Sequence, residues 1–404
     1  MRKYLLHIIL FTLNVCVFQT ILANQIPKEE VKFNFFSEPI SIKYDTRMVI
    51  PIGNDISEEV FERFYFDLSN TTFLMVVGGL LSYKKELELN DWLYYQLINS
   101  FVETAFKKES TNFRTLFSWF LLHKSGYQVQ LNYINNHILL SVFSHDKIYD
   151  MPVRAHENGW YVELTASHQN QIKRKLISYR SDFNINSKGK PFSFRLTTLP
   201  KLSNPTVVTQ TFSFIHYGKL YPFSVDINES IVKMMYHYPE LSILEHAEVP
   251  VSNYVKETLY KELDRLTADM DDFQAIRFFL SFTRMSKSYE TDKEAYDVQN
   301  LAFTPEETLY YLYSDCEDRS ALFYNMVKEI LKMDVVLIDF PRHASAAVHF
   351  EKPPVFDSES IHAKPIYHNG KDYYICDPTG PGNHLRLGEY PYGFEDITPR
   401  VLVE

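Results

Sequence analysis

The stretch Tyr313-Ser314-Asp315-Cys316-Glu317-Asp318-Arg319-Ser320-Ala321-Leu322-Phe323 decides how this chain is read. It places one of only three cysteines in 404 residues among acids, at the start of a helical pattern. Asp315 is a good N-cap, and Asp318 stands three residues on, the spacing of a capping box. Cys316 then falls in the first turn, where backbone N–H groups and the helix dipole favour a thiolate. Asp315, Glu317 and Asp318 oppose that ionisation. A nucleophilic sulfur here therefore needs a cationic partner, which a histidine supplies.

Two histidines follow in "FPRHASAAVHF" (340–350). His343 and His349 are six apart and so share one face of a strand. His343 opens the strand beside Pro341-Arg342, where it is better placed to meet a helix N-terminus, and it is preferred over His349. Further on, "YYICDPTG" (373–380) ends a strand on Asp377 before Pro378. Proline turns the chain out of the ladder, and an acid there can hold an imidazole in the required tautomer. Cys376 alternates with Asp377, so the two face opposite sides of the strand. A Cys316–Cys376 disulfide is therefore disfavoured.

From helix to cysteine helix to three strands, the last third has the α+β layout of a papain-like core, with a cysteine helix on an antiparallel sheet. The three motifs "DCEDRSALFYNMVKEIL", "RHASAAVHF" and "YYICDPTG", in that order over roughly 270–385, resemble the transglutaminase-like superfamily of bacterial, often exported, proteins. The resemblance implies Cys316 as nucleophile, His343 as base and acid, and Asp377 as the orienting acid. It implies hydrolysis of an amide in a peptide or protein substrate, with no metal or organic cofactor. The chain departs from the family pattern at Asp315, where a glycine is common, and in "HASAAV", which lacks the usual Trp and Glu. It also carries a long insertion at 351–371. No side-chain oxyanion donor stands out; Tyr310, Tyr311, Tyr313 and backbone N–H groups are the candidates.

Outward from this core, residues 229–404 are expected to form the transglutaminase-like domain. Residues 166–228 carry alternating β patterns, "FSFRLTTL" and "TVVTQTFSFIHYGKLYPFSVDI", and read as a β-rich middle region. Residues 24–165 read as an α+β domain: strands at "VKFNFF" and "ISIKY", helices at "DWLYYQLINSFVETAFKK" and "FRTLFSWFLLHKSGY", then three strands. This first domain echoes the last. His137 aligns with His343, Ser110 with Cys316 and Leu164 with Asp377, which suggests a degenerate second copy that has lost the cysteine and the acid.

Residues 1–23 read as a secretory signal peptide, with Arg2-Lys3 followed by an apolar run from Leu5 to Leu22. The competing reading is an uncleaved anchor. Cleavage implies a secreted or periplasmic protein with no stable membrane insertion. The net charge of −10, without a basic block, argues against nucleic-acid binding. His349, His362 and His368 with Asp357 and Glu359 fit no zinc spacing. A reading of another class remains beside the hydrolase: a non-catalytic binding or scaffolding module at the cell envelope. A precursor with a plugged cleft lies between the two.

Overall fold

The computed structural model describes residues 28–53, 55–134, 136–165, 177–178, 189–297, 302–352, 354, 363–379 and 386–403. The leader expected at 1–23 and the loop residues Asp357, Glu359 and His362 lie outside them. The fold is mixed α and β, in two compact units. One comprises residues up to Ser144 with Arg154–Phe192, the other His145–Val153 with Ser193–Glu404.

The first unit opens with an antiparallel hairpin, β1 (Lys28–Phe35) and β2 (Glu38–Asp45). Four helices follow: α1 (Glu58–Ser69), α2 (Phe73–Glu86), α3 (Asp91–Ala105) and α4 (Thr111–Lys124). Asn90 caps α3, its side chain accepting from the Leu93 N–H at 3.0 Å. The chain leaves α4 through Gly126 at φ +91°, a left-handed conformation that costs glycine least. The strands β3 (Val129–Ile134), β4 (His137–Ser144), β5 (Val153–His156), β6 (Gly159–Glu163) and β7 (Ile177–Ser178) form a sheet in the order β5-β6-β4-β3-β7.

No helix is expected from the sequence at α1 or α2. Gly78 and Gly79 lower the helical propensity of α2. A Cβ on Gly79 would stand 3.1 Å from Ile42 Cδ1, so the glycine lets the helix close on β2. Among the described residues no single helix is long and apolar enough to cross a membrane.

The second unit begins with a ten-residue ribbon, β8 (Val207–His216) and β9 (Lys219–Asn228). Its two-residue turn, Tyr217-Gly218, has both φ angles positive, as the twist of a tight hairpin requires. Short helices α5 (Glu229–Met235), α6 (Ile243–Ala247), α7 (Asn253–Val255) and α8 (Lys261–Thr267) follow, the last two joined by a π-helical turn. Next come α9 (Asp272–Met285), β10 (Ser288–Tyr289), α10 (Asp292–Tyr296), α11 (Pro305–Tyr310), β11 (Tyr313–Ser314) and α12 (Cys316–Met326). The unit closes with β12 (Val335–Phe340), β13 (His343–His349), β14 (Ile366–His368), β15 (Lys371–Cys376) and β16 (Arg400–Val401), in the order β14-β15-β13-β12-β16.

The core of this unit lies between ribbon, helices and sheet. Phe278 and Phe282 of α9 pack edge-on against Phe214 of the ribbon, with centroids 5.1 and 5.7 Å away. Burying each such ring contributes about 1.5–3 kcal/mol. The small residues of "HASAAV" have a packing reason. Ala346 and Val348 face Ala321 and Leu322 of α12 in the same cluster, so the cysteine helix rides close to β13.

Three expectations change. The 166–228 region is not a body of its own: Ile177–Ser178 pair with β3 in the first unit, and β8–β9 belong to the second. "FSFRLTTL" forms no strand, although Phe192, Phe194 and Leu196 are buried alternately as its period predicts. Its backbone bonds go elsewhere; the Phe194 N–H donates to the Asp146 carboxylate at 2.6 Å. The suspected repeat has a structural counterpart, with a shifted correspondence. Both sheets share one strand order, and the pairs Val129↔Val142 to Ile134↔His137 recur 206 residues later as Val335↔Val348 to Phe340↔His343. The next strand pairs Ser141 with Glu163 where Ala347 meets Ile375, so Thr165 and not Leu164 stands at the place of Asp377. Ser110 is the N-cap of α4, as Asp315 is of α12. By cap position, Thr111 and not Ser110 matches Cys316.

Candidate active site

The site lies in the second unit, where α12 and β13 begin and β15 ends. The N-terminus of α12 is built by its own acids. Asp315 accepts from the Glu317 N–H at 2.9 Å, and Asp318 accepts in return from the Asp315 N–H at 3.0 Å and from the Phe303 N–H at 2.9 Å. The capping box read from the sequence is present. Upstream, β11 pairs in parallel with β10, setting Tyr289 beside Ser314. Arg319 locks this corner from inside. It is 1% exposed, and its guanidinium donates to Ser314 Oγ at 3.1 Å, the Arg284 carbonyl at 3.1 Å and the Lys287 carbonyl at 2.7 Å.

His343 and Asp377 meet. His343 Nε2 is 2.9 Å from Asp377 Oδ2, with side chains 14% and 1% exposed. The other carboxylate oxygen accepts from the Thr379 N–H at 2.8 Å and the Thr379 hydroxyl at 2.6 Å. Burial alone would raise the Asp377 pKa, but the His343 and Thr379 bonds outweigh it and hold the carboxyl below its ordinary value. The acid is therefore ionised and accepts only, which fixes the imidazole proton on Nε2. Nδ1 is left as an acceptor, with no hydrogen bond to any described residue. The Phe394 ring stacks on the imidazole at 6.1 Å and limits its rotation.

Cys316 is half-buried and reduced, its thiol beside the backbone N–H of Ala344, the residue after His343. Helix dipole and neighbouring acids compete for this sulfur, and the acids prevail. Burial first, then the charge of Asp315, push the thiol up to about 12, and the Ala344 N–H offsets only part. The lowered pKa expected from the helix N-terminus is not realised in the resting geometry. Cys376 is also reduced. It faces the core shared with α9 and α12, so its separation from Cys316 comes from lying deep under the helices, not from facing away from them.

His349 lies at the far end of β13, its Nδ1 bonded to the Asp372 carbonyl at 2.9 Å. Of the tyrosines considered as oxyanion donors, Tyr310 gives its hydroxyl to Glu229 at 2.9 Å, and Tyr311 stacks on Phe303. Sequence reasoning missed Tyr289, because a two-residue parallel bridge to β11 leaves no periodic signal. Burial raises its phenol, and the charge of Cys316 is the next cause. Its hydroxyl has no hydrogen-bond partner among the described residues, and its ring lies 5.2 Å from the Arg319 guanidinium. Among the described residues no group of His, Cys, Asp and Glu could hold a metal ion.

The buried acids make stability depend on pH. Burial is the main reason that Glu307 and Glu317 each rise to about 7. The native state then binds more protons than the unfolded chain between about pH 4.5 and 7, so stability falls as pH rises through that window. Asp377 has the opposite sign, but its contribution is lost only below the ordinary Asp range near pH 4. Urea unfolding should show the chain about 6 kcal/mol less stable at pH 7.5 than at pH 4.5, about 3 kcal/mol for each carboxyl. Flat or rising stability across the window would mean that these two carboxyls are not raised.

Compared with known proteins, the chain matches no family model, no curated protein and no solved structure.

Proposed function

We propose that the second unit is a transglutaminase-like cysteine hydrolase, an exported peptidase or amidase whose triad is Cys316, His343 and Asp377. The observation that carries this reading is the 2.9 Å bond from His343 to a buried, ionised Asp377, which leaves Nδ1 as a base next to the cysteine turn. Because the thiol rests protonated, attack and proton transfer are coupled. As the sulfur adds to the amide carbonyl carbon, its proton moves to His343 Nδ1. The tetrahedral oxyanion is met by a donor, and the unengaged Tyr289 hydroxyl is the side chain suited to that role. Collapse breaks the C–N bond, and His343 gives its proton to the leaving nitrogen. The thioester is then cleaved by water that His343 deprotonates, releasing the acid and restoring the thiol. The net change is amide plus water to acid plus amine. The apolar run from Leu5 to Leu22 supports export.

One observation favours the alternative of a non-catalytic envelope module: a thiol held at about 12 is inert unless His343 takes its proton. An acyl trap separates the two readings. Mixed with p-nitrophenyl acetate at pH 7.5, the hydrolase acquires one acetyl group on Cys316, removable by hydroxylamine and seen by peptide mass spectrometry. Replacing Tyr289 with phenylalanine should slow acylation by about tenfold to a hundredfold. A folded wild-type chain with Cys316 unmodified would leave the binding module as the better account.

A further inference from the structure

Beside His343 lies a groove of about 450 Å³ lined by Pro341, Arg342, Pro391, Tyr392 and Phe394, with the imidazole as part of its wall. Three features suggest an occupant. The first is Arg342. The pair Phe340↔His343 closes a two-residue turn, Pro341-Arg342, and Arg342 sits there at φ +63°. Proline followed by a left-handed residue is a turn in which glycine or asparagine is the unstrained choice. An arginine held there carries backbone strain, and such strain clusters where a side chain is needed for function. The guanidinium is exposed and has no hydrogen bond or ion pair with any described residue. The second feature is the wall. Tyr392 is 90% exposed, and Phe394 packs on Phe340 at 5.1 Å, so an open aromatic surface rests on a fixed base. The third is the distribution of charge. Asp315 and Glu317 stand at the cysteine side of the site, so an anionic group is repelled there and accommodated at Arg342.

We propose that this groove binds the C-terminal residue of a peptide, with its α-carboxylate on Arg342 and an apolar side chain against Pro391, Tyr392 and Phe394. Resting on the hydrolase reading above, the groove is the leaving-group subsite, because the histidine that protonates the departing amine forms part of its wall. An arginine fork matches a carboxylate in two parallel bonds, whereas an amide in its place offers one acceptor and no charge. The substrate class is then a peptide cleaved at its carboxyl end.

The test uses the full chain as Cys316→Ala, so that nothing turns over, titrated by calorimetry with hippuryl-phenylalanine and with hippuryl-phenylalaninamide. The free acid should bind at least tenfold tighter than the amide. Adding Arg342→Gln should remove that preference, and Arg342→Lys should keep part of it. Equal binding of acid and amide, binding of neither, or a preference that survives Arg342→Gln would overturn the proposal. Acid-selective binding that needs Arg342, in a chain whose wild-type Cys316 cannot be acylated, supports the carboxylate site and sinks the hydrolase. The two failures are thus distinguishable.

Discussion

Replacing His343 with alanine should slow iodoacetamide labelling of Cys316 at pH 7.5 by a hundredfold or more and move its pH midpoint to near 12. Only a thiolate alkylates at a useful rate. Burial and Asp315 hold the thiol up to about 12, and Glu317 and Asp318 add to the effect. At pH 7.5 such a thiol is ionised to only a few parts in ~10⁵. Labelling in the wild type therefore depends on a base that takes the proton as the sulfur reacts. In the proposed triad His343 Nδ1 is that base, free of other hydrogen bonds among the described residues and one residue from the Ala344 N–H that meets the sulfur. Peptide mass spectrometry over pH 6–11 gives both rates. A midpoint near that of an ordinary thiol, the same in both proteins, would show that the imidazole does not serve the cysteine.

Asp377→Asn should lower turnover about 10³–10⁴-fold while leaving the fold in place. The residue is 2% exposed, and its carboxylate accepts three hydrogen bonds, one from the imidazole and two from Thr379. An asparagine is nearly the same shape. Thr379 needs acceptors, so the amide oxygen turns toward it and the NH₂ toward His343. A donor facing Nε2 moves the imidazole proton to Nδ1, the nitrogen that must accept from Cys316. The wrong tautomer then costs activity without costing much packing. The check is kcat with the best amide substrate, alongside a urea melt. A loss under tenfold in a stably folded variant would mean that Asp377 orients nothing that reacts.

Local chemistry made much of this arrangement legible in the sequence. The Asp315–Asp318 box and the Tyr217-Gly218 turn each depend on residues within a few positions. The His343–Asp377 contact was readable because strand ends flagged by Pro341 and Pro378 put both side chains at one rim of a sheet. What escaped was set by distant partners. Tyr289 reaches the site through pairing with β11, and α2 tolerates two glycines because β2 lies against one of them. "FSFRLTTL" has strand periodicity, but its Phe192 N–H bonds to the Phe143 carbonyl of β4 while its Phe194 N–H turns to the Asp146 carboxylate, and no regular ladder forms. The sulfur's acidity was a contest of opposing terms whose outcome depends on depth of burial, which no motif carries.

The carboxyls around Cys316 also bear on how long such a sulfur lasts. Peroxides and small disulfides attack through the same thiolate that performs chemistry, and oxidation past the sulfenic stage is hard to reverse. A cysteine ionised to a few parts in ~10⁵ at neutral pH offers oxidants almost nothing between catalytic events. Cys376, sealed in the core, cannot act as its resolving partner. If the chain is exported and Cys316 is the nucleophile, as proposed, the same acidic turn would also let the sulfur persist as a free thiol in an oxidising compartment.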